Sequence, residues 1–295
     1  MLRLFICGYL VLSVFACTVK DAEKSTLFTA APTSLGRVPA ALNEASGLVA
    51  SRRYPGLLWT HNDSGDNARL FLIREDGSLV ATVYINHIIN RDWEDITAYY
   101  DQKLGKYFLY IAEIGDNRAL YDFKFIYRIE EPELEPSLSD QTLVVNSPEK
   151  IIFQYADGSR DAEALMFDPL DQVFYLVSKR EKRVGVYAFP DEFVWGDTLY
   201  LNKNMEIPHT QIVAGDISSD GSEIITKDYE SIYYWRREKD ESVLDALKRP
   251  AHNLPYKIEK QGEAIAWALD GSGYFTLSEQ ADDSDPPIIY FYKRN

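Results

Sequence analysis

Four glutamates, Glu44, Glu94, Glu163 and Glu263, each open a short apolar stretch that is followed by a turn and a second stretch rich in aromatic and β-branched residues. Carboxylates gathered by a fold repel one another unless they take up protons, pair with Lys or Arg, or bind a hard cation. The chain holds 4 His and 2 Cys. Oxygen donors with so little nitrogen or sulfur suit Ca2+ better than zinc. The plainer alternative is structural: glutamates that cap backbone amides and hold neighbouring strands in register.

The elements that would position these acids recur. Five segments share the plan of polar residue, apolar strand, turn and second strand, beginning at Asn43, Asp92, Asp161, Val213 and Gly262. A third strand follows each pair, as in Arg69–Ile73 and Phe125–Ile129, and there is room for a fourth near 79–85, 149–155, 201–207 and 253–259. Four antiparallel strands per unit is the pattern of a propeller blade, inner strand first. The expectation is an all-β, five-bladed β-propeller, with six blades or a sandwich as the alternatives. Taking Glu44, Glu94, Glu163, Val213 and Glu263 as equivalent gives spacings of 50, 69, 50 and 50. The longer interval carries the proline-bearing stretch 130–140, which reads as a loop and is where a sixth blade would have to lie. The last unit stops at its third strand, so residues 26–38 are expected to close the ring, which removes a free sheet edge. The one helical stretch is short, Glu241 to Lys248.

In such a ring the head of each inner strand lies at one mouth of a central channel, and the second strand returns to the same face. That places Asn62, Asp63, Glu113, Lys179, Arg180, Lys227, Asp228 and Glu279 around the four glutamates as candidate ligand-binding residues. Blade four breaks the pattern, with Val213 at the ring position and Asp216 three residues further on; Asp216 joins the acids only if a bulge turns it. His61, at the end of a second strand, is the candidate general base, with Glu279 a candidate for positioning water. The run His61-Asn62-Asp63-Ser64-Gly65-Asp66 lacks the spaced Glu and flanking helices of an EF-hand and also reads as a tight Asx turn. Ser46 does not sit in a Gly-x-Ser-x-Gly elbow. The run from Lys179 to Arg183 reads as a charged hairpin, or as the cationic side of an anion site.

The motifs Glu44-Ala45-Ser46-Gly47-Leu48, Asp92-Trp93-Glu94-Asp95-Ile96, Asp161-Ala162-Glu163-Ala164-Leu165 and Gly262-Glu263-Ala264-Ile265-Ala266-Trp267 resemble those of uncharacterised bacterial propeller lipoproteins. They are more distantly similar to phytase-like propellers and calcium-activated nucleotidases. That resemblance implies a cation on the axis, with Glu44, Glu94, Glu163 and Glu263 as its oxygen donors. The multi-calcium phosphate site of the phytases has no clear counterpart in this chain, and Val213 interrupts the ring.

The N-terminus has one positive charge, Arg3, then an apolar run to Ala16 and Cys17, the pattern of a signal peptide over 1–16 rather than of a membrane span. Val14-Phe15-Ala16-Cys17 resembles a lipoprotein box. Cleavage would leave Cys17 as the only cysteine, so lipidation there is expected, with 17–25 a polar tether and 26–295 a single domain. By resemblance to enterobacterial lipoproteins, Thr18 rather than Asp after the cysteine implies the outer membrane, with membrane association only through the lipid. A net charge of -15 with 46% hydrophobic residues describes a globular acidic chain and argues against nucleic acid. Two functions fit: an extracytoplasmic binding platform for a small molecule, glycan or envelope protein, with an axial Ca2+ as candidate cofactor, or a metal-dependent phosphoester or ester hydrolase at the acidic mouth. The sequence leaves the oligomeric state open.

Overall fold

The computed structural model describes residues 27–137, 139–280 and 285–295. The segments expected to be a signal peptide and a tether, with Cys17, lie outside the described residues. Five sheets are present, and their inner strands, Ala45–Ala50, Trp93–Asp101, Ala162–Asp168, Ala214–Ile217 and Ala264–Trp267, neighbour one another in that order, the fifth returning to the first. This is a five-bladed β-propeller.

The fourth strands Leu79–Ile85 and Glu149–Tyr155 fall where the repeat places them, while those of blades three and four shorten to Met205–Ile207 and His252–Leu254. Blade five is completed by Thr33–Arg37, which pairs antiparallel with Ile288–Lys293, and Phe28 bridges Arg294. The ring is thus fastened by both ends of the domain.

Two strands depart from the expected plan. Gln141–Val145, which follows the expected loop, runs parallel to Leu79–Ile85 and adds a fifth strand to blade one. Thr198–Leu201 does the same for blade two, alongside Glu149–Tyr155. Each leaves its own blade between the third and fourth strands and reaches back to the outer edge of the preceding one. Their alternating exposure, as in Gln141–Val145, is that of a strand covered on one face.

Inner strands such as Ala45–Ala50 and Ala162–Asp168 are buried along their whole length, because each blade packs on both faces. The core is accordingly divided into five clusters, one in each gap between blades. Trp59 and Trp93 fill the gap between blades one and two, and Tyr110, Phe167 and Phe174 the next. Phe174 and Tyr110 meet edge-on at 4.7 Å, a favoured aromatic geometry. The helix Val243–Leu247, capped by Ser242, lies before the outer strand of blade four. Among the described residues no helix is long and apolar enough to cross a membrane.

Candidate functional site: an acidic channel mouth

Two bulges build the site. In blade two the ladder slips between Trp93 and Asp95, and in blade three between Ala162 and Ala164. The extra residue in each case is a glutamate, Glu94 or Glu163, released from the strand alternation at the head of the inner strand. Two residues before each stands an aspartate, Asp92 and Asp161. The corresponding slip in blade one falls at Gly47, with a φ of 72°. A Cβ there would lie 2.6 Å from His61 Nε2, so the glycine is a packing requirement. Glu44 sits three residues earlier and is exposed.

Carboxylates converge in two groups that share one member: Asp63, Asp92 and Glu94, and Glu94, Asp161 and Glu163, with the oxygens of each group within 4.8 Å of one another. Glu94 is 3% exposed, and among the described residues no hydrogen-bond donor reaches its carboxylate. Burial, then Glu163, Asp63, Asp92 and Asp161, push it well above the usual carboxylate range. Glu163 is pushed up likewise, chiefly by burial, against the opposing pull of Lys179. Its Oε2 is buried and has no hydrogen-bond partner among the described residues. Asp63 rises to about 7, again mainly through burial, with Asp92, Glu263 and Glu44 adding to it. Gly115 covers the cluster so closely that a Cβ would lie 2.0 Å from Glu94 Oε1 and 2.6 Å from Asp92 Oδ2.

The other side of the mouth is filled by a hydrogen-bonded chain. Lys179 donates to Glu163 and, at 3.0 Å, to Tyr229 Oη, which donates to Glu263 Oε1 at 2.5 Å. Glu263 is in turn hydrogen-bonded to Glu279, whose carboxyl is raised to about 8 by burial and by Glu263. Glu263 is therefore engaged with Tyr229 and Glu279, and among the described residues the acids of the cluster without a salt-bridge partner, Asp63, Asp92 and Glu94, belong to blades one and two.

The remaining residues expected at this mouth have identifiable partners. Glu113 accepts the amides of Arg91 and Asp92 and pairs with Arg91 at 3.0 Å, so it positions Asp92. Arg180 pairs with Asp161 at 2.5 Å. Asn62 donates to Ala41 O and Asp66 Oδ2, each at 2.8 Å, and accepts from Glu44 N. Asp228 accepts from the amides of Glu230 and Ser231 and from Tyr233 Oη, a turn cap. Lys227 is fully buried, donates to the carbonyls of Gly262 and Asp228, and is lowered by burial to about 8. His61 is also fully buried, lowered by burial to about 4, and packs edge-on against Trp93 at 5.6 Å. Asp216 stands apart from the acidic mouth. Its two oxygens accept Ile217 N and Trp267 N, both at 2.8 Å, linking blade four to blade five.

Asp92 and Asp161 were not singled out from the sequence as site residues, and Tyr229 reads there only as a wedge between blades or a stacking surface. A signal for the first two exists: the Asp-x-Glu spacing at 92–94 and 161–163 repeats, and residues two apart share a side of a strand. Tyr229 lies in a loop after the second strand of blade four and carries no such pattern. No protein-family model and no curated protein matches this chain.

Proposed function

We propose that the acidic mouth is a cation-braced binding platform for a small molecule, glycan or envelope protein, carried outside the cytoplasm by a lipid on Cys17. The supporting observation is Glu94, buried and without a hydrogen-bond donor among four further carboxylates. A buried charge in that state is costly unless protonated or bound to a cation. Ca2+ is the cation that fits: its bonds to oxygen are about 2.3–2.6 Å, so opposed ligands lie up to about 5 Å apart. The 4.8 Å ceiling within each carboxylate group is compatible with that span. Asp63, Asp92 and Glu94, or Glu94, Asp161 and Glu163, would be the donors, with the cation toward blades one to three rather than on the axis. With the cation bound, the covering loop around Gly115 would be held as part of a rigid rim.

The hydrolase alternative needs free cations to neutralise a phosphate. Lys179 is engaged with Glu163, Arg180 with Asp161, and Lys227 with backbone carbonyls, so the binding reading is preferred.

The test is thermal melting of the purified protein with EDTA and with Ca2+, together with its metal content. Ca2+ should raise the melting temperature of the wild type. Glu94→Gln should raise the melting temperature in EDTA, because a repelled charge is removed, and should abolish the Ca2+ response. Absence of any Ca2+ shift or bound metal in the wild type would refute the cation-braced site.

A further inference from the structure

The far mouth of the channel is a different environment. A cavity of about 480 Å³ is lined by Arg52, Tyr100, Leu170, Asp220 and Leu269, one from each blade, and each at or just beyond the far end of an inner strand. It is therefore the axial opening opposite the acids, and its volume falls within the roughly 300–1,000 Å³ of small-molecule sites.

Among the described residues Arg52 is the one positively charged side chain lining that cavity. Its backbone is clamped on both sides by Glu131, a fully buried acid of blade two that accepts Ser51 Oγ and Arg53 N. Its Nε donates to Ala98 O at 3.2 Å, fixing the plane of the guanidinium against the inner strand of blade two. Among the described residues its two Nη groups have no hydrogen-bond partner, although carboxylates lie nearby. Asp216 spends its oxygens on the amides of Ile217 and Trp267. Glu131 spends its own on Ser51, Trp59 and Arg53. Asp220, which lines the cavity, accepts from the hydroxyls of Ser218 and Ser222 and from Ser222 N. The fork is thus held in place and left open toward the cavity.

We propose that this mouth is a second binding site, for a small organic monocarboxylate with an apolar or aromatic body, held by the Nη face of Arg52. An arginine fork matches the two oxygens of a carboxylate. A single positive charge, acted on by Asp216 and Glu131 and sharing its cavity with Asp220, in a chain of net charge -15, favours a monoanion over a phosphate dianion. Apart from the polar Gln102, Gln172 and Ser219, the rest of the wall is aromatic and aliphatic, with Tyr99 and Phe167 in contact at 4.5 Å and Leu170 and Leu269 also lining it. That surface suits the hydrocarbon part of the ligand. The site uses none of the acids of the other mouth and does not depend on a cation there.

The test is calorimetric titration of the whole protein with 3-phenylpropionate, in EDTA. Saturable binding at one site per chain is expected, at least tenfold weaker for the neutral amide 3-phenylpropanamide and for Arg52→Gln. Leu170, 61% exposed, allows a second variant that spares the fold: Leu170→Glu places a negative charge at the opening and should weaken binding by a similar factor. Absence of binding by the wild type, equal affinity for acid and amide, or affinity unchanged in both variants overturns the proposal. So does competition by inorganic phosphate at concentrations near that of the carboxylate.

Discussion

Asp216 Oδ2 accepts the backbone N–H of Trp267 at 2.8 Å, so a carboxylate buried to 4% exposure ties the inner strand of blade four to that of blade five. Asp95 makes the same kind of link between blades two and three, its Oδ2 accepting Leu165 N at 2.9 Å. Each acid also accepts the amide of its own successor, Ile217 or Ile96. These acids lie within the channel wall and serve the ring.

Removing that link should destabilise the fold without touching the acidic mouth. Asp216→Ala leaves two buried amides without acceptors, at a cost of about 1–3 kcal/mol each when no water replaces the carboxylate. Urea denaturation should show a lowered midpoint, while the Ca2+-induced shift in melting temperature should persist. Loss of the Ca2+ shift in a folded variant would instead make Asp216 part of the cation site.

Gly115→Ala is the complementary change. Its φ is not in the left-handed region, so the backbone tolerates alanine, but the new methyl would lie 2.0 Å from Glu94 Oε1. Calcium affinity should fall at least tenfold in a terbium-competition titration, and stability in EDTA should drop by about 1–3 kcal/mol, the usual cost of overpacking. Unaltered affinity would mean that the covering loop moves aside freely.

Stability in EDTA should fall as pH rises from 6.5 to 8. Asp63 and Glu259, raised by burial to about 7, and Glu279, raised to about 8, hold protons in the fold that the unfolded chain has already released. Raised carboxyl values favour the folded state below the unfolded value near 4, and that advantage is lost up to the folded value. His61 acts in the opposite direction as pH falls from 6.5 toward 4, and Lys227, lowered to about 8, does so only from the top of the window upward, so the raised acids dominate between 6.5 and 8. Ca2+ should give its largest melting shift at the upper end of the window. A melting temperature in EDTA that rises between pH 6.5 and 8 would contradict the assignment.

Cys17→Ser should leave the signal uncleaved or release the protein from the membrane fraction. Mass spectrometry of the wild type should find a diacylated peptide beginning at Cys17. An unacylated N-terminus in the membrane fraction would refute the anchor.

The ring was legible in the residues. The repeat of inner and second strands, the short final unit and the spare segment 26–38 together imply five blades closed by the N-terminus, because a missing strand and a free one must meet to remove a sheet edge. Glu94 and Glu163 were legible as well, since each heads an inner strand in the repeat. The backward-reaching strands 141–145 and 198–201 were not, because short segments with half-covered strand patterns do not reveal which blade edge they will join.

Sequence by itself thus determined the architecture and brought acids to one face, through patterns local to each repeat. Only the tertiary structure decided which acids meet. A bulge shifts a ladder by one residue, and its position depends on the partner strand: at Glu94 and Glu163 it frees a carboxylate, at Gly47 it frees none. The same applies between blades. Lys179, Tyr229 and Glu263 come from three different blades, and their chain forms because the ring sets the distances between them. Spacing along the chain records which strand a residue occupies, but the hydrogen-bond register and the closure of the ring determine which side chains touch.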